Sequence, residues 1–244
     1  MQFARLRASS SITDNAAALR QLLSGGKGST DVLLDISGCS NMSSVMDQVK
    51  SLYDVAGAAN IATQVNVLLR KGDSDSPLTA ADLPSAAEGG FKLHRHVAMG
   101  GTFDHLHPGH KLLLTTSAFH TAERLRVGIT GDELLKNKKF KEMLQPFDVR
   151  AETVKGFLQR LRSDVIFDIV ELTEPTGGTT TIGDVTAMVC SPETLPAITS
   201  INEARARNGF APVEPISIEF VGGDATTRIS STALREKAAQ SPAQ

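Results

Sequence analysis

Cysteine is scarce in this chain: Cys39 and Cys190 are the only two in 244 residues. Two thiols build neither a disulfide framework nor a thiolate metal site, so they read as reduced core residues of a cytosolic or organellar protein. Charge of one sign is lacking too. A formal net charge of −2 gives no electrostatic reason to expect nucleic acid as a partner, although a local basic patch is compatible with it. No apolar run approaches the roughly 20 residues of a membrane span. The chain has no internal repeat and no low-complexity tract. What remains is an ordinary globular composition, 41% hydrophobic and 21% charged. The length is long for one small α/β domain and short for two full ones.

The first twenty residues hold Arg5, Arg7 and Arg20, three serines and few acids. That is a faint echo of a transit peptide. An ordinary N-terminal helix is the plainer expectation, with the cytoplasm as compartment and the mitochondrion as the alternative. Residues 30–38 (TDVLLDISG) read as a buried strand, 41–56 as a helix, and 61–70 as a second strand with Val65, Val67 and Leu69 on one face. Asp, Ser, Pro, Ala and Gly without apolar periodicity then mark a linker. The expected division is an N-terminal α/β region at 1–71, a linker at 72–92 and a larger domain at 93–244.

In the larger domain, strands and helices alternate. Strands are expected at 96–102, 124–130, 167–173, 187–191 and 215–221, and helices at 108–120, 148–162, 192–208 and 230–239. This predicts an α/β fold, a doubly wound parallel sheet with a small N-terminal α/β extension. Such sheets bind ligands at the C-terminal ends of their strands, so chemistry is sought there.

Two segments stand at strand ends. In the first, Met99 to His110 (MGGTFDHLHPGH), Gly100 and Gly101 let a ligand approach the backbone closely. Pro108 suits the first turn of a helix. His107 and His110, three apart, fall on one side of that turn, and Gly109 leaves room above its N-terminus. Free amides and the helix dipole there favour phosphate, and two imidazoles suit charge developing on a transferring phosphorus. The same Asp104, His105, His107 and His110 are chemically able to hold a metal, but that reading leaves the glycines and Pro108 unexplained, and no metal site is expected. His105 and His120 are assigned to surface or structure. In the second segment, Arg228 to Arg235 (RISSTALR), Ser230, Ser231 and Thr232 are good helix caps. They equally offer hydroxyls and amides to a polyphosphate, with Arg228 and Arg235 adding charge.

Together, His107-Pro108-Gly109-His110 and Ile229 to Arg235 resemble the two signatures, HxGH and ISSTxxR, of the HIGH-type nucleotidyltransferase superfamily. GGTFDHLHPGHKLLL, GDELLKNKKF, LQPFDVR and SPETLPAITSINEAR are further similar to the phosphopantetheine adenylyltransferase family of eukaryotic coenzyme A synthases and archaea. The resemblance covers about 93–240 and implies a Rossmann-like fold. It implies adenylyl transfer from ATP to 4′-phosphopantetheine, giving dephospho-coenzyme A and pyrophosphate, with Mg²⁺ arriving on ATP. By the same resemblance His107, Lys136 and Lys138 act in catalysis, and Thr102, Lys136 and Lys138 hold the substrate phosphate. Gly100, Gly101, His107, Gly109, His110, Ser230, Ser231, Thr232 and Arg235 bind the nucleotide, and Asn202 is a further candidate to face it. The basic run at 136–139 has a plainer alternative, a solvated loop. Relatives often carry lysine at the position of Arg228, which puts that residue's role in doubt. A monomer is implied, and the chain ends soon after the second motif, so a separate dephospho-coenzyme A kinase is expected.

No Ser-His-Asp set or carboxylate pair is evident, and this chemistry needs none. A phosphate monoester with a second pKa near ~6 is already a charged nucleophile at neutral pH. Three alternatives remain: a nicotinamide-mononucleotide adenylyltransferase, a cytidylyltransferase, and a catalytically silent nucleotide-binding regulator. Intact motifs argue against the last. The role of the N-terminal region is not readable.

Overall fold

The computed structural model describes residues 2–25, 28–59, 64–84, 91–223 and 229–240. Two parallel sheets organise them. The first is a β-α-β-α-β unit: β1 (Gln2–Arg7), α1 (Ile12–Ser24), β2 (Ser29–Asp35), α2 (Met42–Ala58) and β3 (Gln64–Arg70), in spatial order β1-β2-β3. Here the expectation of an N-terminal helix needs correcting, because residues 2–7 form an edge strand. Their period is two, with Ala4 and Leu6 half-buried and Phe3, Arg5 and Arg7 outward. The helix begins only after Ser11, whose hydroxyl accepts from the Asp14 amide at 3.0 Å and so caps it. Residues 61–63 of the expected second strand lie outside the described residues.

The second sheet contains β4 (His94–Gly101), β5 (Thr121–Thr130), β6 (Ile166–Leu172), β7 (Ala187–Cys190) and β8 (Glu214–Ser217), in the order β6-β5-β4-β7-β8. Winding runs outward from β4 to β6, then returns past β4 to β7. The point where direction reverses lies between β4 and β7, and a crevice opens at their C-terminal ends. Helices α3 (Pro108–His120), α4 (Phe147–Gln159), α5 (Ala197–Arg207) and α6 (Ser231–Gln240) complete the fold. Side chains alternate along each strand, which sorts them to two faces. Val97 and Met99 of β4 and Val189 of β7 join the core beneath α3 and α4. Ala98, Met188 and Cys190 point the other way, onto Ile198 and Ile201 of α5. Helices on both faces make the sheet doubly wound.

The first unit is continuous with that core. Val32, Leu34, Val49, Leu52 and Tyr53 belong to the same apolar cluster as Leu114 and Phe119 of α3. Lys111 on α3 is buried, and its ammonium donates to the Val65 carbonyl at 2.9 Å and to Gln64 Oε1 at 3.1 Å. Burial pulls its pKa down to about 8. The connection after β3 runs along the end of α4, where the Leu78 amide donates to Leu161 and the Ala80 amide to Asp164. Residues 85–90 of the expected linker lie outside the described residues. No helix among the described residues is long and apolar enough to cross a membrane.

Candidate active site

The site is built at the reversal between β4 and β7. β4 ends in Gly100 and Gly101, and a Cβ on Gly101 would come within 3.1 Å of the Phe103 ring. The chain then bends through two left-handed non-glycine residues, Phe103 at φ 51° and His105 at φ 48°. Such conformations cost about 1–3 kcal/mol each and persist where the surroundings hold them. What holds them is Asp104, fully buried between the two. Its Oδ1 accepts from the Gln145 amide at 2.9 Å, and its Oδ2 accepts from the Arg235 guanidinium at 2.7 Å. Its carbonyl accepts from the Ser231 hydroxyl at 3.0 Å. One aspartate therefore ties the strand end to the last helix.

His107 caps α3, with Pro108 at the first turn. Its Nδ1 accepts from the His110 amide at 3.4 Å, and the two imidazoles stack with centroids 3.8 Å apart. Gly109 leaves the His107 ring its room, since a Cβ there would lie 3.2 Å from His107 Cε1. Burial, with the neighbouring His107 second, holds the His110 pKa well below the ordinary imidazole value. Neutral His110 has Nδ1 buried without a hydrogen-bond partner among the described residues. No three His, Cys, Asp or Glu among the described residues are grouped to hold a metal. Asp104 is committed to Arg235, and His105 Nε2 lies 3.0 Å from the Met143 carbonyl.

A cavity of about 490 Å³ opens here. Gly100, Gly101, Thr102, His107, Gly109 and His110 line one wall. Ser230, Ser231, Thr232 and Arg235 line the other, and Lys138 reaches it from the side. Of the residues that the resemblance gives a role in catalysis or in holding phosphate, Lys136 does not line it. Its ammonium pairs with Glu133 at 2.5 Å on the exposed face of the loop. Ser230 caps α6, its hydroxyl accepting from the Ala233 amide at 3.3 Å. Arg235 is 2% exposed, and besides Asp104 it donates to the Lys139 carbonyl and to the Thr232 hydroxyl. Arg228 lies outside the described residues. Asn202 borders neither this cavity nor the next. Its side chain instead clasps the Val213 backbone with two hydrogen bonds, at 2.9 and 3.1 Å, which corrects the expectation that it faces the nucleotide.

A second cavity of about 410 Å³ joins the first at Gly100, Gly101, Thr102, Lys138 and Thr194. It runs over Gly128 between Leu134, Leu172, Met188 and Ile201. Arg126 enters it, held by Asp168 at 2.6 Å, and no Asp or Glu among the described residues lines it.

Sequence reasoning missed three residues that build this site. Besides Asp104, Arg150 is fully buried and donates to the carbonyls of Thr102, Thr130 and Gln145, which fixes the ends of β4 and β5. Arg205 donates to five carbonyls between Thr179 and Ala211, fixing the loop that precedes β7. The available signal was an aspartate and two arginines inside segments otherwise read as apolar or catalytic.

Comparison with known proteins matches residues 98–237 to the cytidylyltransferase-like family. A phosphopantetheine adenylyltransferase of Saccharomyces cerevisiae is 38% identical over 151 residues, which are 59% of this chain and 50% of that protein. One of Methanopyrus kandleri is 35% identical over 148 residues, 61% of this chain and 93% of that protein. The chain thus spans about half the length of its first fungal relatives. A crystal structure of a protein of unknown function from Archaeoglobus fulgidus aligns with 55% of this chain and 96% of its own, at 29% identity and a TM-score of 0.44.

Proposed function

The chain belongs to the cytidylyltransferase-like family, and from that membership we propose that it transfers the adenylyl group of ATP to 4′-phosphopantetheine. An oxygen of the substrate phosphate attacks the α-phosphorus of ATP. The bond from that phosphorus to the bridging oxygen breaks, pyrophosphate leaves, and dephospho-coenzyme A forms. The observation that carries this reading is the meeting of two unlike cavities at Gly101 and Thr102. One presents the two histidines and the hydroxyls of α6, groups suited to a triphosphate. The other is a mainly apolar groove, suited to a long uncharged arm with few polar atoms. Lys138 stands on both, where the attacking phosphate would lie.

The groove also separates the alternatives. A nicotinamide mononucleotide would bring a pyridinium cation into a mainly apolar groove with no carboxylate among the described residues of its lining to pair with it. The small phosphorylated alcohols of cytidylyltransferases would leave most of it unfilled. The names of the yeast and archaeal relatives support the same choice.

Catalysis on this reading is alignment and charge stabilisation. His107 donates to the α-phosphate as charge gathers. His110, the hydroxyls of Ser230 and Thr232 and the amides at the start of α6 hold the β- and γ-phosphates, while Ser231 and Arg235 fix that start against Asp104. Glu193 and Glu219 are the carboxylates that line the nucleotide cavity among the described residues. So few acids fit a Mg²⁺ bound mainly by ATP oxygens, where it would neutralise phosphate charge. The product lacks one phosphate of coenzyme A, which a kinase step must add.

A substrate panel tests the reading. ATP or CTP is incubated with 4′-phosphopantetheine, nicotinamide mononucleotide or phosphorylated alcohols, and pyrophosphate release is measured. ATP with 4′-phosphopantetheine is expected to turn over fastest. A faster rival pair overturns the substrate, and silence with every pair overturns catalysis.

The two lysines are expected to differ in the same assay. Lys138→Ala should raise KM for 4′-phosphopantetheine or lower kcat by roughly tenfold or more, the scale of a charge-assisted contact. Lys136→Ala, which loses an exposed pair with Glu133, should stay near wild type, since such pairs contribute little. Equal effects of the two would refute this division.

A further inference from the structure

The N-terminal unit reaches the nucleotide side of the site through α2. After β8 the Ile218 amide still donates to Cys190, but the next residues leave the sheet before they line the cavity. Their support comes from α2. Asp54 Oδ1 accepts from the Gly222 amide at 3.1 Å, and its Oδ2 accepts from Lys50 at 2.7 Å. The same Lys50 stands 3.8 Å from Glu219. Gly222 sits at φ +84°, a conformation that glycine adopts without strain.

One turn further along α2, Gly57 meets both segments of the cavity wall at once. A Cβ on it would come within 3.0 Å of Val221 Cγ1 and 3.1 Å of Ile229 Cδ1. Glycine inside a helix costs about 1 kcal/mol relative to alanine. The close approach of Val221 and Ile229 explains its presence. Val221 belongs to the loop after β8, and Ile229 opens the segment that leads to the α6 hydroxyls. Two cavity-lining segments therefore rest on one helix of the N-terminal unit.

We infer that Asp54 and Gly57 are positioning residues for the nucleotide: they seat Gly222, Val221 and Ile229, and so set ATP affinity without touching ATP. This gives the N-terminal unit a part in the reaction, and it rests on the reading of the cavity as a nucleotide site.

The test uses the full chain, with ATP dissociation constants from titration calorimetry, KM for both substrates, and thermal midpoints. Asp54→Ala removes one acceptor for a backbone amide, so the Kd and KM for ATP should rise roughly three- to tenfold. The KM for 4′-phosphopantetheine should not move. Asp54→Asn keeps an oxygen for the Gly222 amide and should restore ATP affinity. Gly57→Ala should weaken ATP in the same selective way with no loss of thermal stability, because alanine favours the helix while its methyl displaces the cavity wall. ATP affinity unchanged in Asp54→Ala overturns the inference. So does a parallel weakening of both substrates with a lowered thermal midpoint, which is what a merely structural role produces. A wild-type chain that binds no ATP would instead remove the nucleotide reading, and this inference with it.

Discussion

His107→Ala is expected to lower kcat by roughly a hundredfold or more while the KM for ATP stays close to wild type. Losing one donor aimed at developing negative charge typically costs about 10²–10³ in rate. The geometry identifies which nitrogen does this. Nδ1 of His107 accepts from the His110 amide, so in the neutral ring the proton sits on Nε2 and makes it the donor. Stacking on His110 holds the ring, and the lack of a Cβ at Gly109 leaves it room. An interaction that strengthens only as charge accumulates appears in kcat, whereas one equal in ground and transition states appears in KM. The same substitution also removes the cap of α3. His107→Asn is therefore the companion variant, because asparagine caps helices well and keeps the His110 amide satisfied. Its fold should match wild type while its kcat remains low. Steady-state kinetics with each substrate varied in turn decides the matter. A near-normal kcat in the alanine variant would exclude His107 from the chemistry.

Much of the site could be read from the sequence because short-range chemistry defines it. Two glycines at a strand end, a proline at the first helical turn, and histidines three apart each have a local reason, and the glycines and histidines fall in one wall of the cavity. The parallel direction of the strands in the larger sheet follows from strand–helix alternation in the same way. The parts that could not be read depend on partners distant in the chain. Arg235 meets Asp104 across 131 positions, and Arg150 meets Thr102 across 48. No periodicity records such a pairing. β1 was missed because a six-residue edge strand with alternating Arg and apolar residues looks like the start of a helix. The helix expected from residue 192 starts at Ala197, since Ser191 and Thr194 first close a turn of their own. Lys136 and Lys138 differ by two positions in a loop built of short turns, where spacing does not set direction. The N-terminal region looked too small to be informative, and its meaning lies in what α2 touches rather than in its composition.

Asp104→Asn should destabilise the protein strongly, by breaking the buried pair with Arg235. Asp104 and Arg235 are 0% and 2% exposed, so neither side chain reaches water. Removing one partner of such a buried pair leaves the other uncompensated, at about 3–5 kcal/mol. That is a large part of the roughly 5–15 kcal/mol by which domains are stable. Asparagine keeps the size and one oxygen for the Gln145 amide, so the loss is assigned to the Arg235 contact and not to a cavity. The pair is also the bolt between β4 and α6. With Arg235 released, the adjacent Thr232 and Ser231 lose their register against Asp104, so ATP affinity should fall along with the thermal midpoint. Arg235→Met should cost a similar amount, because it leaves the aspartate without its cation. The double variant should cost much less than the two added together, since a buried pair replaced as a unit leaves nothing uncompensated. Denaturant unfolding of the three variants measures all of this in one cycle. If Asp104→Asn unfolds at the wild-type denaturant concentration, or if the two losses simply add, the pair does not hold the motifs together. The left-handed turns at Phe103 and His105 would then owe their stability to packing alone.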